Sequence, residues 1–235
     1  MKCRLCKWLC DRYCPPEMRP NAFSEYSTSW ERDNSNDWDL WQRDGEAIHR
    51  QSEIAASYLA NDRGKAFAIY TSMADAGSAW AMRLVADYFE HGVGVQKDLR
   101  MAESYYSRAL LAGSNSAYVD FAALHYRQGN DEKWNAILEQ GVAAGYAPAA
   151  YWLVLFRYQR NPSRAMARSL RSTLELAAKA GHPEARLMLS RWKGRRVFGF
   201  REIRQGFREY LTLMDDAEKK QRRIQTDEKI TKAAA

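Results

Sequence analysis

The residues with the clearest potential for chemistry are four cysteines, all within the first 14 of 235 positions: Cys3, Cys6, Cys10 and Cys14. Closely spaced thiolates hold iron–sulfur clusters and zinc ions. The spacing here, C-x2-C-x3-C-x3-C-P, is one residue longer than the bacterial iron–sulfur run, and it lacks the longer loop of most zinc sites. On a helix the thiols would form a stripe about 16 Å long, beyond the reach of one ion. The cysteines are therefore a candidate metal site that their spacing disfavours, and we predict no bound cofactor.

Two other interpretations of the cysteine segment remain open. In one, the thiols are acylated or face a membrane, where neighbouring side chains would contact anionic headgroups. Those side chains are Lys2, Arg4, Lys7, Trp8 and Arg12. In the other, residues 1–20 are a basic, poorly ordered arm with exposed thiols. The segment lacks the apolar stretch that is typical of a secretory signal peptide. No run in the sequence approaches the roughly 18 apolar residues that suggest a membrane span. We therefore predict a cytoplasmic protein, with membrane association through the arm as the alternative.

Charge is divided unevenly along the chain, whose net charge is +7. Residues 21–53 hold eight acids and three bases, whereas residues 157–208 hold fourteen bases and three acids. Within the basic half, arginines spaced by three and four residues are predicted to share one helical face. They are Arg157, Arg160, Arg164, Arg168 and Arg171. Such a stripe suits an acidic protein partner, which we favour. It also suits nucleic acid, because bases and aromatics are interleaved in residues 191–208.

The elements that would position these groups are helices arranged in repeats. The dipeptide Ala-Gly recurs at intervals of 36, 32 and 36 residues, and another alanine follows four residues after each glycine. These positions are Gly77 and Ala81, Gly113 and Ala117, Gly145 and Ala149, and Gly181 and Ala185. Between them the apolar residues take helical spacing. A period in the thirties with this spacing predicts an all-α solenoid, and short connections predict antiparallel helix pairs.

The sequence divides into four predicted segments. They are the arm, 1–20; an acidic, aromatic and poorly ordered linker, 21–45; a repeat domain of about five helix pairs, 46–214; and a charged tail, frayed or disordered, 215–235. Within the linker, Trp38 and Trp41 belong to a short acidic-aromatic stretch. They either dock into a groove of a partner or cap the first helix pair, and both interpretations remain open.

One repeat carries a longer motif. It reads Gly92-x-Gly94-Val95-x-x-Asp98-x-x-x-Ala102, followed by Tyr105-Tyr106 and Ala112-Gly113. This motif resembles the Sel-one-like repeat, a relative of the tetratricopeptide repeat, and the resemblance extends over residues 46–214. The unit that ends at Gly145 departs from the pattern because it is four residues short. The resemblance implies a right-handed superhelix, in a family with many bacterial members that act as scaffolds or adaptors.

We therefore predict a non-catalytic scaffold or adaptor that binds a protein in a helical groove. The alternative is binding of nucleic acid or membrane headgroups through the arginine stripe. Aromatic candidates for the groove are Tyr88, Phe121, Tyr126, Trp152, Phe156 and Tyr158. Catalysis is not predicted, because the sequence has no phosphate-binding loop or nucleophile elbow and its histidines fall in different repeats. These are His49, His91, His125 and His182.

Overall fold

The computed structural model describes residues 30–234, and every regular element in that range is a helix. A short helical stretch at residues 30–33 precedes twelve helices in residues 37–234. They are α1 (Asp37–Arg43), α2 (Gly45–Tyr58), α3 (Arg63–Asp75), α4 (Ala79–His91), α5 (Leu99–Leu111), α6 (Ser116–Arg127), α7 (Asp131–Ala143), α8 (Ala147–Arg160), α9 (Arg164–Ser169), α10 (Arg171–Lys179), α11 (Pro183–Gly194) and α12 (Ile203–Ala234). The prediction of an all-α fold is confirmed.

The chain divides into two compact units. The first unit, Arg32–Arg160, contains α1 to α8, in which α2 packs on α3, α4 on α5 and α6 on α7. The second unit contains α9 to α12, in the residues from Asn161 onward, together with Trp30 and Glu31. The division lies inside the range 46–214 that the sequence predicts as the repeat domain.

The turn between α8 and α9 has a local cause. Pro162 lacks a backbone N–H and cannot continue a helical hydrogen-bond ladder. The next residue, Ser163, begins the new helix: its hydroxyl accepts a hydrogen bond from the backbone N–H of Met166 at 3.1 Å. A helix therefore ends before this turn and another begins after it.

The four Ala-Gly dipeptides end α3, α5, α7 and α10 in the same way. Each glycine has a φ between 78° and 103° and donates its N–H to the carbonyl three residues earlier. The following residue donates to the carbonyl five residues earlier, and all eight bonds measure 2.9–3.1 Å. This pattern is a Schellman motif, which satisfies the last helical carbonyls and reverses the chain. The repeat period of the sequence therefore marks the places where one helix pair ends and the next begins.

The alanine that follows each of these turns belongs to the first turn of the next helix. All four of these alanines are completely buried. At the crossing of α7 and α8, a Cβ added to Gly141 would lie 2.7 Å from the Cβ of Ala149. Small side chains therefore set how closely the two helices approach.

Replacing Ala149 by leucine should lower the free energy of unfolding by about 1–3 kcal/mol, because the added atoms overpack this crossing. The same range is expected for Ala117→Leu. The matched control is Ala143→Leu on α7, where the side chain is exposed and the change should stay within about 0.5 kcal/mol. Urea unfolding followed by circular dichroism measures all three. An Ala149→Leu protein as stable as the wild type would contradict close packing at this crossing.

Residues 37–43, within the predicted linker, form helix α1. Leu40 is buried, and α1 packs on α4. Asn36 fixes the start of α1 to the turn after α5. Its Nδ2 donates to the carbonyl of Gly113 at 2.7 Å, and its Oδ1 accepts from the N–H of Asn115 at 3.0 Å. Composition alone could not indicate this helix, because its anchors lie 77 and 79 residues farther along the chain.

The charged residues from 215 onward, predicted as a tail, continue α12, which is 32 residues long. The first part of α12 crosses α11 closely at Gly206. A Cβ added there would lie 2.7 Å from the backbone nitrogen of Gly194 and 2.7 Å from the carbonyl oxygen of Ser190. None of the described helices combines the length and the apolar composition that a membrane span requires.

Candidate functional site

The five arginines predicted to share one helical face lie on three helices. Arg157 and Arg160 belong to the end of α8 in the first unit. Arg164 and Arg168 belong to α9, and Arg171 begins α10, in the second unit. The turn between α8 and α9 interrupts the spacing, so the five side chains do not follow one face of one helix.

Both arginines of the first unit bond to neighbouring groups. Arg157 donates from Nε to the Oδ1 of Asn135 at 2.7 Å, and its guanidinium also pairs with Glu139. Arg160 pairs with Asp131 at 2.9 Å. These contacts join α8 to α7, so the two guanidinium groups stabilise the repeat.

Two arginines of the second unit are bonded in a similar way. Arg168 donates from Nε to the carbonyl of Val197 at 2.9 Å. Arg171 pairs with Glu175 at 2.7 Å and with Glu202 at 2.8 Å. The predicted stripe therefore offers less unpaired positive charge to a partner than the sequence indicates.

Three of the predicted groove aromatics pack between helices. Tyr88 and Phe156 are buried. The ring of Tyr88 meets that of Tyr70 edge-on at 5.7 Å, and half-buried Phe121 stacks on Tyr106 at 5.8 Å. These rings belong to the core of the first unit.

The other three, Tyr126, Trp152 and Tyr158, are half-buried. Tyr126 stacks on Phe156 with a centroid distance of 4.0 Å, and the Arg160 guanidinium lies 4.6 Å from the Tyr126 ring centroid. Trp152 meets the same phenyl ring edge-on at 5.5 Å. Much of this aromatic surface is thus used for packing within the unit.

A cleft of about 280 Å³ lies where α1 meets α2 and α4. Trp38, Trp41 and Trp80 supply its aromatic surface. Trp41 is held in place because it stacks on His49 at 4.5 Å and meets Trp80 edge-on at 4.8 Å. Trp38, in contrast, is 64% exposed. Ser52 also lines the cleft. We name this feature the tryptophan cleft; its lining is Arg32, Ser35, Asp37, Trp38, Trp41, Ser52, Trp80 and Arg83.

A charged network supports one side of the tryptophan cleft. Arg83 pairs with Asp37 at 3.3 Å and with Asp120 at 2.7 Å, and Asp37 also accepts a hydrogen bond from the hydroxyl of Ser114 at 3.0 Å. Burial alone would lower the pKa of Arg83, but the charges of Asp120 and Asp37 outweigh it and raise the pKa above its ordinary value. Burial raises the pKa of Asp120, which Arg83 opposes. The network holds α1 against α4 and α6 and presents a fixed arginine to the cleft.

Neither a protein-family model nor a curated protein matches the sequence. Several solved structures resemble the chain, and two of them have a TM-score above 0.5. One is a Sel1 repeat protein from Oxalobacter formigenes, with a TM-score of 0.54 and 17% sequence identity. The other is a protective antigen of uropathogenic Escherichia coli with an SLR fold, with a TM-score of 0.52 and 16% identity. The fold is that of a Sel1-like repeat protein.

Each comparison covers 70% of this chain. The chain spans 72% of the Oxalobacter protein but only 38% of the Escherichia coli antigen. The predicted Sel1-like solenoid of helix pairs is confirmed. Because the sequence identities are only 16% and 17%, these comparisons establish a similar fold and nothing about function.

Of the residues that line the cleft in this Sel1-like fold, Trp38 and Trp41 could be identified from the sequence, whereas Trp80, Arg83 and Ser52 were not predicted. The sequence offers one weak indication for Trp80, because this tryptophan stands beside the repeat alanine Ala81 at the start of α4. It offers no indication for Arg83 or Ser52. Their place in the cleft depends on how α1 packs against the repeats.

Three of the four histidines have structural partners in separate parts of the Sel1-like fold. The Nε2–H of His49 donates to the carbonyl of Trp41 at 2.7 Å. His91 ends α4 and is exposed. His182 caps α11: its Nδ1 accepts from a backbone N–H at 3.3 Å, and its Nε2 donates to Glu31 at 2.8 Å. These histidines are not gathered at one place where they could act together.

Three potential metal ligands of α4 lie close together. Asp87, Glu90 and His91 offer ligand atoms within 4.8 Å of one another. Glu90 is buried, pairs with Arg127 and accepts a hydrogen bond from the hydroxyl of Tyr106 at 3.1 Å. Both oxygens of the Glu90 carboxylate therefore already have partners within the protein. We infer that these three residues have a structural role and do not bind a metal ion.

The fourth histidine, His125, is 1% exposed, and its Nε2 has no partner among the described residues. Burial lowers its pKa below the ordinary value; Glu103 opposes this shift and Lys133 adds to it. The folded protein therefore takes up the proton at a lower pH than the unfolded chain, so protons favour unfolding below about pH 6.5.

We expect His125→Gln to lose less thermal stability than the wild type when the pH is lowered from 7 to 5. The exposed histidine provides the control, and His91→Gln should follow the wild type. Melting temperatures of the three proteins across this range give the comparison. Parallel curves for His125→Gln and the wild type would contradict the prediction.

The predicted arm, residues 1–20, lies outside the described residues. So do its four cysteines: Cys3, Cys6, Cys10 and Cys14.

Proposed function

We propose that this chain is a non-catalytic scaffold that binds a partner protein, and that the tryptophan cleft is its anchor site. Trp38 carries the proposal, because it is 64% exposed although α1 is fixed to the repeats on both sides of the residue. Tryptophan and arginine are enriched among the residues that dominate binding energy at protein interfaces. A side chain on a fixed helix also loses little conformational freedom on binding.

The tryptophan cleft is small, with a volume of about 280 Å³, at the lower edge of the roughly 300–1,000 Å³ that is typical of small-molecule sites. The cleft can accept one large apolar side chain against its indole rings. Arg83 and the Ser52 hydroxyl can then fix the backbone or a polar group beside that side chain.

The alternative, binding of an anionic surface through the arginine stripe, has weaker support. Four of its five members already bond to groups of the chain itself: Arg157, Arg160, Arg168 and Arg171. Only Arg164 is exposed with no ion pair among the described residues. A protein partner that engages the tryptophan cleft therefore remains the better hypothesis.

Site-specific crosslinking tests the proposal. A photoreactive amino acid at position 38 should crosslink a defined protein in the cell, and nuclease treatment should not remove it. The matched control is position 111, because Leu111 is 89% exposed on α5 of the same unit. Trp38→Ala should weaken capture of that protein at least about tenfold, whereas Leu111→Ala should leave it unchanged. Equal crosslinking from both positions, or loss on nuclease treatment, would overturn the proposal.

A further inference from the structure

The second unit contains a groove between α10 and α12, with α11 as its floor. Both helices pack on α11, and the space between them has a volume of about 1030 Å³. In the first unit, ion pairs bridge the second helices of successive pairs. Arg108 of α5 pairs with Asp75 of α3 at 3.1 Å, and Lys133 of α7 pairs with Glu103 of α5 at 3.5 Å. In the second unit, Arg171 at the start of α10 pairs with Glu202, next to the start of α12, at 2.8 Å. Beyond this pair the two helices leave the groove open between them.

Three cations line this groove and have no ion-pair partner among the described residues: Lys179, Arg186 and Arg208. They come from three different helices, α10, α11 and α12 respectively. Three unpaired cations around one concave surface create a positive potential that favours an acidic ligand.

The other two bases of the groove are already neutralised. The first, Arg171, pairs with Glu175 and Glu202. Lys193, at the floor, donates to both carboxylate oxygens of Glu209, at 2.9 and 3.0 Å. The groove therefore combines unpaired positive charge with carboxylates at fixed places.

Apolar side chains line part of the groove. Leu189 of α11 and Leu213 of α12 are almost fully buried, whereas Ala178, on the wall formed by α10, is half-buried. A ligand that packs against Ala178 would remove apolar surface from water, which favours binding.

We propose that this groove binds an acidic amphipathic helix of a partner protein. The carboxylates of that helix would pair with Lys179, Arg186 and Arg208, and its apolar side would pack against the wall that contains Ala178. A nucleic-acid backbone is disfavoured because its regularly spaced phosphates would meet the carboxylates of Glu175 and Glu202. A helix can instead place acids only where the groove has bases. This surface lies in the second unit and does not depend on the tryptophan cleft.

The test uses the full chain and a synthetic peptide of about 18 residues, long enough for about five helical turns, with glutamates on one face and leucines on the other. Fluorescence anisotropy should detect its binding to the wild type. Reversing the three groove cations together (Lys179→Glu, Arg186→Glu and Arg208→Glu) should weaken binding at least about thirtyfold. Ala178→Trp, which fills the groove without a change of charge, should weaken it as well.

The control reverses three exposed arginines of the same unit that do not line the groove: Arg195→Glu, Arg201→Glu and Arg204→Glu. It changes the net charge equally and should weaken binding less than about threefold. Trp38→Ala should keep peptide binding, which separates this proposal from the tryptophan cleft. No binding by the wild type, or equal losses in both triple variants, would overturn the proposal. Tighter binding of a single-stranded oligonucleotide through the same three cations would overturn it too.

Discussion

Replacing Gly94 by alanine should lower the free energy of unfolding by roughly 3–5 kcal/mol, whereas Gly92→Ala should cost only about 1–2 kcal/mol. Both glycines lie in the turn between α4 and α5 and have nearly the same backbone conformation, with φ values of 69° and 74°. The strain of a side chain in the left-handed region is therefore common to both variants. The difference in unfolding free energy between the two variants therefore measures the effect of a steric contact at position 94.

That contact is the close approach of Gly94 to the start of α3. A Cβ at position 94 would lie 2.2 Å from the carbonyl oxygen of Arg63 and 2.5 Å from its carbonyl carbon. These are backbone atoms, so the clash can be relieved only by moving one turn away from the other. At Gly92 the nearest atom to an added Cβ is the Cβ of Lys97, at 3.4 Å. The second glycine of the motif thus allows one helix pair to contact the preceding pair.

Urea unfolding followed by circular dichroism measures the two free energies, and an unchanged dependence on urea makes them comparable. If Gly94→Ala is destabilised no more than Gly92→Ala, the contact with Arg63 does not matter to stability. The result would then contradict this role of the Gly-x-Gly motif.

The second large effect concerns the ion pair between α11 and α12, in which Lys193 is buried and the Glu209 side chain is 37% exposed. The Lys193 side chain is only 8% exposed and meets Glu209 through both carboxylate oxygens. We expect Glu209→Leu to cost about 3 kcal/mol of unfolding free energy, because it leaves a buried ammonium without a partner. The double variant Lys193→Met with Glu209→Leu should return to within about 1 kcal/mol of the wild type, since apolar residues can replace a buried pair at little cost.

An exposed ion pair of α12 provides the control. Asp215 and Lys219 interact at 2.7 Å, and their side chains are 61% and 64% exposed. Asp215→Ala should therefore change the unfolding free energy by less than about 0.5 kcal/mol. Chemical denaturation of the full set gives a double-mutant cycle. If the double variant were as unstable as Glu209→Leu alone, an unpaired Lys193 charge could not explain the loss.

Parts of the fold that depend on neighbours in sequence could be predicted. The Ala-Gly turns are an example, because a Schellman motif closes within six residues. The cap of α5 is another: Asp98 accepts from the backbone N–H groups of Arg100 and Met101, as its position in the motif suggests. Helix α1 could not be predicted in this way, since Asn36 finds its bonding partners far along the chain.

The arginines illustrate the same limit for the candidate site. Spacing alone placed Arg157 and Arg171 on one face, although a proline turn separates their helices. It also could not show that each has a carboxylate partner at another position of the chain. The sequence shows how many basic residues a segment contains. Binding of an acidic partner depends on how many of those residues remain without a carboxylate partner after folding.

The sequence by itself determined the repeat, its period and the positions where helices end, because these follow from bonds between residues a few positions apart. Tertiary structure decided which polar and aromatic side chains remain available. Packing of α1 onto the repeats buries Leu40 and leaves Trp38 exposed on the same short helix. Arg208 lines the opening between α10 and α12 and has no ion-pair partner among the described residues. Both outcomes depend on contacts between residues distant in sequence, which local patterns do not specify.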